Sequence, residues 1–352
     1  MIPSVETCGR SERDGEFMTN AHLFFVVRYS ILNGEPGSWK ITRQDWAAYR
    51  EQLFDPARLK QRFRLFSGLT LPSLTAQRFD RNVSVSLIVI TAAELPSAAS
   101  AELRDGVGNL PEWLDADVLP VEADGASVGA LVQTAVNNSL RERYGDHDVD
   151  YATVRLDDDD LLSNRYVEKI SRYTRPEFSD MVVSFPRGFI GMVGAGSGRV
   201  EDLRHYYAPK VALGMAHVGA WRNGKTVSRS GNVFSVGNHA EIDSKAPVIL
   251  DGSFDAFIRT FHGDNDSGAD VTQKEWIMEL PKAGSEVRKS FPEQCLARFS
   301  EKDSEESREE AVSQKACQQE IAKLRACRRR RNKLRRKLDE KHGSRGRWKV
   351  FR

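Results

Sequence analysis

The chain has 352 residues, of which 29% are charged, 40% hydrophobic and 9% aromatic. That is enough to bury one large core or two smaller ones, and it excludes collagen-like, mucin-like and fully disordered chains. No run approaches the ~18 uninterrupted apolar residues a membrane helix needs. Residues 1–20 carry Glu6, Arg10, Glu12, Arg13, Asp14 and Glu16 without an apolar stretch, which argues against a secretory signal. The net charge of +2 hides an asymmetry. From Lys323 to Arg352 there are 15 Lys/Arg against Asp339 and Glu340, and removing them leaves 37 basic and 48 acidic residues, a net of −11. The chain therefore reads as an acidic body with a basic tail.

In chain order, residues 1–20 are polar and expected to be disordered. His22-Leu-Phe-Phe-Val-Val-Arg28 is a short apolar run that suits a strand buried on both faces. Pro56 to Gln77 is helical in composition, with a break expected at Pro72-Ser73. Val83 to Ile90 is a second strand, Ala98 to Val107 a short helix and Val118 to Val121 a short strand. Ala126 to Tyr144 carries an apolar face of Val128, Leu131, Val132, Ala135 and Leu140, and Gly145 follows as a stop. Val149 to Leu156 is a strand that runs straight into Asp157-Asp158-Asp159-Asp160. Leu161 to Tyr173 reads as helix and Met181 to Phe185 as strand. This alternation predicts an α/β body with a mostly parallel sheet flanked by helices.

Gly188 to Gly237 changes character and suggests a hairpin or loops across the sheet edge; Ala256 to Phe261 is a last strand. The body is expected to span 21–285, and 286–352 to be a charged helical extension with a basic end. Glu301 to Lys341 has no Gly or Pro, but a heptad with a at 317, 324, 331 and 338 puts Arg328, Arg331 and Arg335 on the seam, which disfavours a coiled coil. Cys8, Cys295, Cys317 and Cys327 fall outside the expected core and form no metal-type spacing, so a reducing compartment, the cytoplasm, is expected.

The strongest chemical signal is Arg155-Leu-Asp-Asp-Asp-Asp160 at a strand end. Four adjacent carboxylates repel one another, and a divalent cation with oxygen ligands, Mg²⁺ or Mn²⁺, offsets that repulsion. Ligands of open α/β sheets bind beyond the carboxyl ends of the strands. The alternative, an acidic cap for a helix starting near Leu161, would need one or two Asp, not four. His262-Gly-Asp-Asn265 follows the last strand and offers a further ligand, or else a plain turn. Asn238-His-Ala-Glu-Ile-Asp243 holds His239 and Glu241 as acid–base candidates, with a capped helical turn the simpler reading. Gly191 to Gly198 lacks the Gly-Lys-Ser/Thr ending of a phosphate loop and reads as a hairpin tip. The cluster Arg328 to Lys337 suits a polyanion or an anionic membrane surface, such as the inner membrane face.

Four segments, in order, resemble the putative rhamnosyltransferase family of bacterial glycosyltransferase-like proteins. They are His22 to Arg28, Leu65-Phe-Ser-Gly-Leu-Thr-Leu-Pro-Ser-Leu-Thr-Ala-Gln77, Arg155 to Leu161, and Phe261-His-Gly-Asp-Asn265. The resemblance implies a GT-A fold whose Asp-x-Asp motif holds a metal-bound nucleotide sugar. By position it implies Asp159 as main metal ligand, Asp160 in support and His262 completing the site. Asp157 and Arg28 would face the nucleotide. The implied reaction moves a sugar from a nucleotide donor to a glycan or glycolipid hydroxyl, with Glu241 as a candidate base. A contrasting expectation is a non-catalytic scaffold of the same fold whose arginine tail binds nucleic acid or another polyanion.

Overall fold

A computed structural model describes residues 21–32, 46–80, 82–122, 127–194, 197–262 and 271–297. The basic tail, three of the four cysteines, and Asp264 and Asn265 lie outside the described residues, as does the expected helix over 301–341.

The main sheet begins with β1, Ala21–Tyr29, a nine-residue apolar strand buried along nearly its whole length. Three helices follow: α1, Trp46–Leu53, α2, Pro56–Leu65, and α3, Leu71–Thr75. Asp55 caps α2 by accepting the Arg58 N–H at 2.8 Å, and Pro56 sits in its first turn, where no N–H is missed. The break expected at Pro72 falls earlier: Phe66–Thr70 is a π-helical turn, and Pro72 opens α3. Then come β2, Val83–Ala92, α4, Ser97–Gly108, β3, Leu114–Val121, α5, Val128–Tyr144, and β4, Val149–Asp157. Gly145 ends α5 at φ +55°, a left-handed conformation that favours glycine.

β1, β2, β3 and β4 are parallel, in the order β3-β2-β1-β4. The chain walks outward from β1 to β3 and then crosses back to pair β4 on the other side of β1. The carboxyl ends of β1 and β4 therefore flank the topological switch point, where open α/β sheets bind their ligands. Side chains of α2, α3 and α4 pack on one face with Leu23, Phe25, Leu87 and Val154. On the other face, Val132, Val136 and Leu140 of α5 pack on Phe24, Val26, Ile90 and Tyr151.

Beyond β4 the structure departs from the expected helix over Leu161 to Tyr173. Leu161–Leu162 is a short strand, β5, and the helix α6 covers only Tyr166–Ser171. Next are β6, Val182–Ser184, β7, Arg187–Val193, β8, Val200–Tyr207, and β9, Ala216–Arg222. β7 and β8 form the expected hairpin. β9, however, does not lie at an edge: it runs antiparallel between β4 and β6 inside the main sheet. β10, Lys225–Thr226, pairs with β9, and β11, Val248–Leu250, pairs with β6 at the sheet edge. β12, Phe257–Phe261, joins β5, β7 and β8 in a second sheet ordered β5-β12-β7-β8. A helix, α7, spans Val271–Met278.

The core under the second sheet corrects the reading of Cys295. It is fully buried with Leu65, Leu69, Phe189, Phe291 and Leu296, so the body continues past residue 285 to at least Leu296. Among the described residues no helix is long and apolar enough to cross a membrane.

Two buried histidines make the fold pH-sensitive. His22 packs with its ring nitrogens 3.1 Å from the Tyr144 hydroxyl and 2.8 Å from the Ser86 hydroxyl. Burial, helped by Arg143, lowers its pKa from 6.5 to about 3. His217, in the middle of the sheet, is lowered to about 4 by burial, against the pull of Asp180. Both rings stay neutral when folded, whereas in the unfolded chain they take up protons below about pH 6.5. Their contribution is therefore complete above that value and declines as the pH falls toward the folded values. At pH 5 the expected loss is about 2 kcal/mol per ring. Urea unfolding of wild type and His217→Leu at pH 7.5 and 5.0 isolates one ring. Equal pH dependence in the two proteins would contradict the assignment.

Candidate active site

The four aspartates begin at the last residue of β4, Asp157, and lead from the main sheet to β5 of the second. Their neighbours are set by register. Arg28 and Asp157 are Cα partners at the ends of the adjacent parallel strands β1 and β4. The Arg28 guanidinium accordingly donates to the Asp157 carboxylate at 2.8 Å, with the Asp157 side chain 37% exposed. Burial would raise the Asp157 pKa, but Arg28 and Arg155 outweigh it and hold the carboxyl far below the ordinary range.

The second junction is between β5 and β12. They pair antiparallel with Leu161 opposite Ile258, so residues just before β5 lie beside residues just after Ile258. Thr260 clamps this approach: its N–H donates to the Asp160 carboxylate at 2.8 Å and its hydroxyl to the Asp159 carbonyl at 2.9 Å. The next turn of chain places His262 Nε2 2.8 Å from the Asp159 carboxylate, both largely buried. Two segments about a hundred residues apart thus meet and bring Asp159 and His262 together.

Asp160 occupies a different setting from the one expected. It is buried under Thr260, and burial, with repulsion from Asp159 and Asp157, raises its pKa well above the ordinary value. Among the described residues, no three His, Cys, Asp or Glu side chains are grouped to hold a metal ion together. Asp159 and His262 do offer an oxygen and a nitrogen at one point. Such a pair suits a divalent ion whose remaining positions are filled by substrate phosphates and water. Asp160 costs the metal-free fold stability, and Asp160→Asn keeps an oxygen for Thr260. That variant, free of metal at pH 7.5, is expected to melt higher than wild type by roughly 2–4 °C. A lower melting temperature would contradict the repulsion described here.

Asp158 points into the core, where Arg62 of α2 donates its Nε–H to Oδ2 at 2.9 Å and brings Nη2 within 2.8 Å of Oδ1 as an ion pair; both side chains are buried. The segment Leu65 to Gln77 buttresses the same loop from below. The Thr70 hydroxyl donates to the Asp160 carbonyl at 2.9 Å, and the Ser73 hydroxyl accepts the Leu162 N–H at 3.2 Å. Gln77 donates to the carbonyls of Ser73 and Ser163 and accepts the Val167 N–H. The π-helical turn at Phe66–Thr70 ends on the first of these residues, and such turns are frequent at functional sites. Asn164 ties the loop to the chain beyond residue 285 through the carbonyls of Ser290 and Lys289.

Arg62, Thr70, Ser73, Gln77 and Thr260 received no role from the sequence. Thr70, Ser73 and Gln77 had only the signal of a segment shared with the family, and Arg62 and Thr260 lie outside all four segments; the partners of Arg62, Thr70 and Thr260 are about 90 residues or more away in the chain. Glu241 falls on a 3-10 turn, His239–Ser244, capped by Asn238 as the simpler reading held. Its side chain is exposed, and among the described residues none of its hydrogen bonds reaches the aspartates. His239 contacts the Lys210 carbonyl at 2.9 Å.

A family model described as putative rhamnosyl transferase matches residues 22–274. No curated protein matches. Among solved structures, a crystal structure of S. aureus TarS 1–349 is similar with a TM-score of 0.31 and 11% identity, covering 68% of this chain. The chain spans 60% of the length of that structure, and a likeness this slight carries no weight for function. The family match takes in Arg28, all four aspartates and His262, and it covers well over half of the sequence; the chain belongs to the putative rhamnosyl transferase family.

Proposed function

We propose that the protein is a metal-dependent glycosyltransferase of GT-A type. It would move a sugar, rhamnose by the family's name, from a nucleotide donor to a hydroxyl of a glycan or glycolipid. The observation that supports this most is the pair of contacts Arg28–Asp157 and Asp159–His262 at the two ends of one aspartate turn, above the switch point of a parallel sheet. In the reaction, the acceptor oxygen attacks the anomeric carbon and the bond to the diphosphate breaks. The acceptor proton passes to a base. A Mn²⁺ or Mg²⁺ held by Asp159 and His262 would stabilise the negative charge that grows on the departing diphosphate.

The chain's own residues supply the rest. Arg28 fixes Asp157 in one ionised orientation facing the nucleotide. Arg62 and Thr260 hold the turn from both sides, so little reorganisation is needed when charge develops. Glu241, an exposed carboxylate, has the chemistry of a base at the acceptor. The test is incubation of the full chain with Mn²⁺ and a panel of nucleotide sugars, reading release of nucleoside diphosphate. Turnover of one donor, abolished by EDTA, is expected. Absence of turnover with every donor, with and without glycan acceptors, would contradict the reading.

A further inference from the structure

Beside Asp157 the two nearest guanidiniums are held differently. Arg28 donates to its carboxylate at 2.8 Å, whereas Arg155, the neighbour two residues before it on β4, does not. The other three aspartates have partners of their own: Asp158 has Arg62, Asp159 has His262, and Asp160 accepts the Thr260 N–H. Arg155 is half-buried, its Nε is sealed from solvent without a hydrogen-bond partner, and its side chain makes no hydrogen bond to any described residue. Its backbone is fixed on both sides, with its N–H donating to the Met215 carbonyl and its carbonyl accepting the Gly214 N–H, each at 2.9 Å.

An aromatic ring holds the two cations in place. The guanidinium carbons of Arg28 and Arg155 lie 5.9 and 5.8 Å from the centroid of Phe234. Stacking on a ring leaves the edge of a guanidinium, with its N–H groups, pointing outward. The loop presenting Phe234 is rigidly built. Asn232 is fully buried, accepts the N–H groups of Phe234 and Ser235, and donates to the Gly129 carbonyl of α5. Val233 N–H donates to Thr153 of β4 at 2.8 Å. The fit against α5 is so close that a Cβ on Gly129 would lie 2.6 Å from the Ser235 hydroxyl.

We propose that Arg155, set in its plane by Phe234, is a binding residue for the phosphate groups of the donor nucleotide. The ligand class is a nucleoside diphosphate, and the inference rests on the glycosyltransferase reading above. A guanidinium with unused N–H groups attracts an anion, and its planar fork suits phosphate oxygens.

The test uses the full chain in Mn²⁺ and a panel of UDP, GDP, ADP, CDP and dTDP by calorimetry. Saturation-transfer NMR follows the matching uncharged nucleoside. Arg155→Met is expected to weaken the preferred diphosphate roughly 10- to 100-fold and to leave the nucleoside unchanged. Equal weakening of both would assign Arg155 a structural role and overturn the proposal. So would unchanged diphosphate affinity in a folded variant. Arg155→Gln, which keeps a polar head without the charge, carries the same comparison if Arg155→Met does not fold. If wild type binds no diphosphate, the glycosyltransferase reading itself fails, and the proposal with it; wild-type binding with an indifferent Arg155 variant leaves that reading standing.

Discussion

Arg62→Met is expected to destabilise the protein by about 3–5 kcal/mol, because it strands the Asp158 carboxylate in the core. The two side chains are 7% and 1% exposed, and their forked contact joins α2 to the turn that carries the aspartates. The cost comes from the charge left behind more than from the attraction lost. Removing both partners should therefore recover most of it. Arg62→Met combined with Asp158→Leu replaces a buried ion pair by apolar groups of similar bulk, and such replacements are often neutral or stabilising. Equilibrium urea unfolding of the two single variants and the double variant measures the coupling directly. A single variant within about 1 kcal/mol of wild type would contradict the account. The double variant should be folded yet catalytically poorer, since Asp157 and Asp159 flank the residue whose anchor has been replaced.

Asp159→Ala is expected to lower donor turnover by about three orders of magnitude or more, with the fold intact. In the proposed reaction the figure corresponds to losing metal-assisted stabilisation of the leaving diphosphate, an effect worth several kcal/mol of barrier lowering where it operates. The fold should survive because the backbone carbonyl of Asp159, not its side chain, takes the Thr260 hydroxyl. His262 loses its carboxylate partner, so His262→Gln should reproduce much of the loss in donor turnover. Thermal melting shows whether each variant is folded. Turnover within tenfold of wild type in folded Asp159→Ala would remove the residue from the chemistry.

The parts of this site that were legible in the sequence are those set by local pattern. The apolar runs at His22 to Arg28, Val149 to Leu156 and Ala256 to Phe261 became β1, β4 and β12. The aspartate run sits at a strand end because a buried strand must stop where four charges begin. The helix α5 was readable from its apolar face and its glycine stop. What stayed hidden depends on pairing between distant segments. β5 is only two residues long, and Leu161–Leu162 is strand because β12 lies opposite. β9 enters the sheet between β4 and β6, an addition that no local periodicity marks. The charge-rich stretch after residue 285 looked like the start of a solvated tail, yet Phe291, Cys295 and Leu296 bury against the second sheet. Arg62 was invisible for the same reason, since a buried arginine and a surface arginine look alike until the partner is placed.

The account stands or falls on a metal and a nucleotide meeting at the aspartate turn. The most direct measurement is thermal melting of the full chain with Mn²⁺, with a panel of nucleoside diphosphates, and with both together. A ligand that binds only the folded state raises the melting temperature by linkage, by about 2.7 kcal/mol of added stability at a hundred times its dissociation constant. The expected result is a rise that requires both Mn²⁺ and one particular nucleotide and is lost in Asp159→Ala. No rise with any combination, or an equal rise in Asp159→Ala, would contradict it.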